Sequence, residues 1–144
     1  MAAPPDVAEP SFSADARDRV PEHIRRDALW TSRAYRAALL AADECWRDLE
    51  PIRRSAGTRP VADQLYRAVC SVGANIAEGY GRRSGPDRTR FCEFALGSAR
   101  EARHWYYVAR HALGATTLEA RLALLTNIIR LLLGIIQSER HQRR

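Results

Sequence analysis

Four stretches of this chain carry apolar residues at helical spacing, and no period-two run of β-branched residues occurs between them. Strands need that alternation, so the pattern restricts the fold to packed helices. Tyr35, Leu39, Ala42, Trp46 and Leu49 fall on one stripe of a helix over about 27–49, which Pro51 is expected to end. Pro60 opens a second helix over 60–79, with Val61, Leu65, Val69, Val72 and Ile76 on its core face. Gly79 and Gly81 then supply a left-handed cap.

Ser84 and Asp87 have capping-box spacing, with Pro86 in the first turn. The third helix, 86–113, runs through Phe91, Phe94, Ala95, Ser98, Ala102, Trp105 and Ala109 to Gly114. Thr116 with Glu119 repeats the capping pattern ahead of a fourth helix over 117–138. Links this short force sequence neighbours to lie side by side. The pattern therefore predicts an all-α, antiparallel up-down-up-down four-helix bundle spanning 22–140. Residues 1–21, with Pro4, Pro5, Pro10 and Pro21 among small and charged residues, read as a disordered tail, and 141–144 as a basic one.

The fourth segment is apolar around most of its circumference. Leu118, Leu122, Leu125, Ile129, Leu132 and Ile136 suffice for an internal core, which leaves Leu124, Ile128, Leu131 and Ile135 on a neighbouring face. Each of these forgoes about 1.5–3 kcal/mol if exposed, and a contiguous patch of that kind marks a subunit interface. The alternative is that flanking helices cover both faces.

A formal charge of +6 rests on arginine, for the 144 residues include no lysine. Codon bias in a GC-rich genome is one cause of such a composition. Guanidinium forks match phosphate oxygens in either case. In an up-down-up-down bundle, Arg25 and Arg26, then Arg82, Arg83, Arg88 and Arg90, then Arg140, Arg143 and Arg144 collect at one end, whereas the other end holds Arg53, Arg54 and Arg59. Such a pole suits RNA or a ribonucleoprotein, an acidic protein partner, or simply a solvated charged loop. Trp105, Tyr106 and Tyr107 are consecutive, so at least one must face outward, toward a base or another subunit.

A polar stripe runs along the second helix through Gln64, Arg67, Ser71, Asn75, Glu78 and Arg82, and Ser98, Glu101 and His104 on the third are positioned to face it. Asn75, Glu78, Ser98 and Glu101 are read as a structural hydrogen-bonded seam, the plainer alternative being an outward face with pairs such as Glu78 with Arg82. Glu101 and His104 have the spacing of di-metal carboxylate bundles, but no second such pair exists. The glycine-rich loop at 79–85 lacks a preceding strand and the Gly-Lys-Ser/Thr ending of a phosphate loop. Cys45, Cys70 and Cys92 are odd in number and show no C-x-x-C spacing. No apolar run approaches the ~20 residues of a membrane span, and no signal-peptide core stands at the N-terminus. The expectation is a cytoplasmic, non-enzymatic protein without catalytic residues, metal, cofactor, membrane partner or small-molecule substrate.

Asn75-Ile76-Ala77-Glu78-Gly79, then Gly81-Arg82-Arg83-Ser84, then Arg90-Phe91 and Ala95-Leu96-Gly97-Ser98 with Glu101 after them, resemble the bacterial four-helix-bundle proteins called intervening-sequence proteins. Some members of that family are encoded inside an insertion in the large-subunit ribosomal RNA gene. The likeness runs from about Asp27 to Gln137, and many relatives have proline where Gly73 stands. It implies the bundle fold, a homopentamer and an unsettled biochemical role. By analogy, accessory proteins of diversity-generating retroelements share the bundle and pentamer and engage a reverse transcriptase together with nucleic acid.

Overall fold

The structure, a computed structural model, describes residues 17–142. Four long helices carry it: α1 (Arg33–Arg54), α2 (Arg59–Tyr80), α3 (Gly85–Val108) and α4 (Ala115–His141). A helical turn, Glu22–Arg25, and a 3₁₀ turn, Ala28–Thr31, precede α1, and another 3₁₀ turn, Ala109–Ala112, follows α3. No strand occurs among the described residues. Each long helix packs on its sequence neighbours, and α1 also packs on α4, so the helices close around one core in a bundle-like arrangement.

Capping decides where α1 starts. The Asp27 carboxylate accepts from the Leu29 N–H at 2.8 Å and caps the short 3₁₀ turn, whereas Ser32 Oγ accepts from the Tyr35 N–H and opens α1 itself. Arg36 fastens the two together, donating to the Trp30 carbonyl at 2.6 Å. Val20, expected in the tail, is only 8% exposed. Residues 1–16 of that tail lie outside the described residues.

Pro51 does not end α1; it lies inside the helix, which continues to Arg54. Leu49 and Ile52 are buried on the inner face, offsetting the roughly 3 kcal/mol that an interior proline costs. The late carbonyls find side-chain donors: Thr58 Oγ1 to Ile52 at 2.8 Å and Arg59 Nε to Arg53 at 3.0 Å.

The buried stripe of α1 begins Ala34, Ala38, Ala41 and Cys45, one residue behind the expected Tyr35, Leu39, Ala42 and Trp46, a turn of about 100°, while Leu49, the last residue of the expected stripe, is buried. Small side chains let α1 approach α2 closely, as Ala38 does opposite Gly73. Trp46 is left 63% exposed, its ring 5.7 Å from that of Tyr66. The α2 stripe, Val61, Leu65, Val69, Val72 and Ile76, is buried as expected, and α2 runs unbroken through Gly73. On α3, Ala95 and Ala102 are buried, as is Ala109 in the 3₁₀ turn where the helix, expected to reach 113, has already ended, whereas Phe94 stands 47% exposed.

No glycine among the described residues has a positive φ, so Gly79 and Gly81 are not left-handed caps. Gly79 is instead a contact residue. A Cβ there would lie 2.7 Å from Phe91 Cβ, so only hydrogen fits between α2 and α3. The start of α4 also differs from expectation: Gly114 holds the N-cap position with no side-chain cap, and Thr116 lies within the first turn.

The proposed interface on α4 needs correction. Ile128 is 0% and Leu124 7% exposed, so both belong to the core of the single chain. Because α4 packs on both α1 and α3, its two adjacent apolar stripes meet different neighbours. Leu131 and Ile135 are half-buried against the same core.

Candidate nucleic-acid interface

The corner between α2 and α3 holds most of the arginines expected to meet nucleic acid. Gly79 carries the Arg82 N–H on its carbonyl at 3.1 Å, and Ser84 caps α3 by accepting from the Asp87 N–H at 3.4 Å. Arg88 fastens the corner. Its Nη1 donates to the carbonyls of Arg82 and Arg83 at 3.3 and 3.2 Å, and its Nε reaches Glu139 on α4 at 3.4 Å. A guanidinium supplies five donors in a rigid plane, so one side chain sets the loop and ties it to the last helix.

Around this frame the guanidinium groups meet aromatic rings. Arg82 lies over Phe91 at 4.8 Å and Arg90 over Phe94 at 5.4 Å, while the two phenylalanines meet edge to face at 5.7 Å. Arg82, Arg83 and Arg90 are exposed. Arg140 bridges back to Glu93 at 2.6 Å, joining the end of α4 to α3. Arg143 and Arg144 lie outside the described residues.

Of the five described arginines expected to bind, Arg82, Arg83 and Arg90 thus face solvent at the corner, Arg140 spans two helices, and Arg88 is occupied internally. Carboxylates interleave with them: Glu78 pairs with Arg82, Glu93 with Arg140 and Glu139 with Arg88. The pole is a mosaic of both signs rather than a bare cationic cap. Sequence reasoning collected the arginines but not the acids the fold brings beside them. Exposed pairs of this kind contribute about 0–1 kcal/mol, so a guanidinium exchanges its carboxylate for a phosphate at small cost.

Beside the corner, Arg33, Ile76, Tyr80, Cys92, Leu131 and Ile135 line a groove of about 760 Å³. Burial, with Glu139 and Glu93 adding to it, pushes the Cys92 thiol up.

The expected seam is only half assembled. Asn75 Nδ2 donates to the Ser71 carbonyl at 2.8 Å and to Ser71 Oγ at 3.0 Å, and Ser98 Oγ joins Ser71 Oγ across α2 and α3 at 3.0 Å. Glu78 and Glu101 each pair four residues on instead, Glu78 with Arg82 just past the end of α2 and Glu101 accepting from Trp105 Nε1 on α3 at 3.1 Å. An i, i+4 partner is always within reach, whereas a partner across helices requires both residues to face the contact. The His104 ring lies 4.9 Å from Trp105, and no group of three or more His, Cys, Asp or Glu side chains able to hold a metal occurs among the described residues.

A second polar cluster went unread in the sequence. Asp48, 5% exposed, accepts from the Tyr106 hydroxyl at 2.7 Å and from Arg121 Nε at 2.7 Å, and Arg121 also meets Glu44 at 2.7 Å. The signal was available: one aspartate stands on the buried stripe of α1 between Cys45 and Ile52. Burial opposes the Arg121 charge, but the Asp48 and Glu44 carboxylates outweigh it and raise its pKa. Burial also pushes the neighbouring Cys45 thiol up to about 12 and, with Cys45 and Asp48, raises Tyr106. The donors and acceptors here face one another, which makes this a fastener between α1, α3 and α4. Of the consecutive aromatics, Tyr106 faces inward at 2% exposure and Tyr107 outward at 55%.

No described helix is long and apolar enough to cross a membrane. A family model described as 23S rRNA-intervening sequence protein matches residues 31–134. The fold is similar to the crystal structure of a protein of unknown function from the S23 ribosomal protein family of Bacteroides thetaiotaomicron, with a TM-score of 0.66 at 23% identity over 72% of this chain and 97% of that one. No curated protein matches the sequence.

Proposed function

The chain belongs to the 23S rRNA-intervening sequence protein family, and from that premise we propose that it is a non-enzymatic, self-associating cytoplasmic bundle that binds RNA or a ribonucleoprotein through its arginine-rich pole. The observation that carries this is Arg88 holding the Arg82 and Arg83 carbonyls, which fixes a loop bearing two outward guanidinium groups beside Arg90. Pre-set guanidinium groups bind phosphates without first losing loop entropy. Such contacts position a strand without reading its sequence, so selectivity for sequence is low.

The contacts of Arg53 with Asp63, Gly79 with Phe91, and Arg140 with Glu93 support an antiparallel up-down-up-down path for the four helices. With Leu124 and Ile128 withdrawn into the core, self-association draws its support from exposed Trp46 and Leu133 and from half-buried Leu131 and Ile135. A pentamer, as the family resemblance implies, with its axis along the helices presents every pole on the same side and multiplies the phosphate contacts.

Filter binding to ribosomal RNA fragments at two salt concentrations tests the proposal. Three arginines at about 0.7 counterions each give a log–log salt slope of about −2 per protomer on single strands. Absence of binding at low salt overturns it. A pull-down that retains an acidic protein after nuclease treatment replaces it with a scaffold role.

A further inference from the structure

Resting on the RNA-binding role above, we propose that the pole selects unpaired RNA over duplex, by stacking bases on the Phe94–Arg90 and Phe91–Arg82 pairs. Phe94 sits where the fold gains little from it, whereas its neighbour Phe91 is half-buried against α2. Phe94 is 47% exposed although it lies on the α3 stripe expected to enter the core, and it is one face of a continuous ring–guanidinium cluster: Arg82 over Phe91, Phe91 edge-on to Phe94, Arg90 over Phe94.

The cluster is built rather than incidental. Phe91 is pressed against Gly79, where any larger residue would meet its Cβ at 2.7 Å, and this contact fixes the ring against the end of α2. Arg82 is held from two sides, by the Phe91 ring and by the Glu78 carboxylate, and its own carbonyl is held by Arg88. Two cations and two aromatic planes therefore keep a set spacing before any ligand arrives.

That pairing of groups fits one substrate chemistry. A base has a π-face that extends a ring–guanidinium stack, and the phosphate beside it is within reach of the N–H donors of the same arginine. In a duplex the faces are already stacked on one another, and only the phosphates remain for Arg82, Arg83 and Arg90. A carboxylate offers the guanidinium groups a charge but no aromatic face to stack, which leaves Phe94 unused. Stacking accepts any base, so the preference is for strandedness and, secondarily, for purines, whose larger faces stack more strongly.

The test measures binding of the intact protein to oligoadenylate, oligouridylate and an RNA duplex carrying the same number of phosphates, at one low salt concentration. Expected are tightest binding to oligoadenylate and weakest to the duplex. Phe94→Leu should weaken single-strand binding by at least about fivefold and leave duplex binding unchanged, while Arg83→Gln weakens both alike. Light scattering of Phe94→Leu should give the assembly mass of the parent protein. Equal affinity for strand and duplex, a neutral Phe94→Leu, or a change of assembly in that variant overturns the stacking proposal and leaves RNA binding in place. No binding to any of the three overturns RNA binding itself.

Discussion

The Tyr106 hydroxyl donates to Asp48 Oδ2 at 2.7 Å, joining positions 58 residues apart, and Arg121 from a third helix donates to the same oxygen at 2.7 Å. Three helices are thereby locked in rotation and register by one carboxylate. The buried α1 residues on either side, Cys45, Leu49 and Ile52, make non-directional contacts, so the polar contact adds a specification of register that they do not supply.

Removing the carboxylate should cost more than removing the hydroxyl. Asp48→Ala leaves Arg121, whose side chain is 16% exposed, with Glu44 alone, and a destabilisation of about 3 kcal/mol is expected, the lower end for a broken buried pair. Tyr106→Phe loses one hydrogen bond and costs about 1–2 kcal/mol. Urea unfolding of both variants gives the order, and the reverse order would show that Glu44 alone compensates the Arg121 charge.

Two glycine substitutions should move stability in opposite directions. At Gly79 an added methyl meets Phe91 Cβ at 2.7 Å, and Gly79→Ala should destabilise by about 1–3 kcal/mol through overpacking. At Gly73 the nearest atom is Ala38 Cβ at 3.6 Å, an ordinary contact inside a helix, so Gly73→Ala should stabilise by about 0.5–1 kcal/mol. Thermal or urea midpoints measure both.

Stability should be flat in mildly alkaline solution and fall above about pH 9. The Cys45 thiol is held neutral in the folded chain, its pKa raised from an ordinary 9.0 to about 12 by burial, and Tyr106 is raised above its ordinary 10.0 for the same first reason. Between those values the unfolded chain loses protons that the folded chain keeps, so stability declines as pH rises, by about 1.4 kcal/mol per pH unit for each group. In Cys45→Ala the decline between pH 9 and 10 should become shallower, with Cys92, whose thiol burial also raises, supplying part of what remains. An unchanged slope would mean that the thiol ionises in place.

Arg88 and Arg83, five positions apart, should divide structure from binding. Arg88→Gln removes donors to two loop carbonyls and to Glu139 and should lower stability by about 1–2 kcal/mol, weakening RNA binding through the loosened loop. Arg83→Gln should stay within about 0.5 kcal/mol of the parent while reducing the salt slope of single-strand RNA binding by about 0.7. Denaturation and binding isotherms on the same preparations separate the two effects.

Much of the fold was legible because helical period and breakers are local. The α2 stripe from Val61 to Ile76 could be named residue by residue, since there the larger apolar side chains mark one face, whereas α4 is apolar most of the way round, and of its buried residues Leu125, Ile129, Leu132 and Ile136 were legible but Leu124 and Ile128 were not. In α1 the same reasoning chose a face one residue away. Its large side chains, Tyr35, Leu39 and Trp46, pointed to one stripe, and close packing against α2 favoured the alanine stripe beside it. At the pole the arginines were countable in the sequence, but Glu93 meets Arg140 and Glu139 meets Arg88 only after α3 and α4 are packed.

The sequence by itself determined that the chain makes four helices, roughly where they begin and end, and which family it belongs to, because propensity, capping residues and short motifs act within a few residues of one another. Only the tertiary structure decided that Ile128 lies in the core, that Gly79 serves close approach rather than a left-handed turn, and that Arg88 is tied down while Arg83 is exposed. Those outcomes depend on which helix lies across from each residue, and that distance is set by the packing of whole faces, which no local pattern encodes.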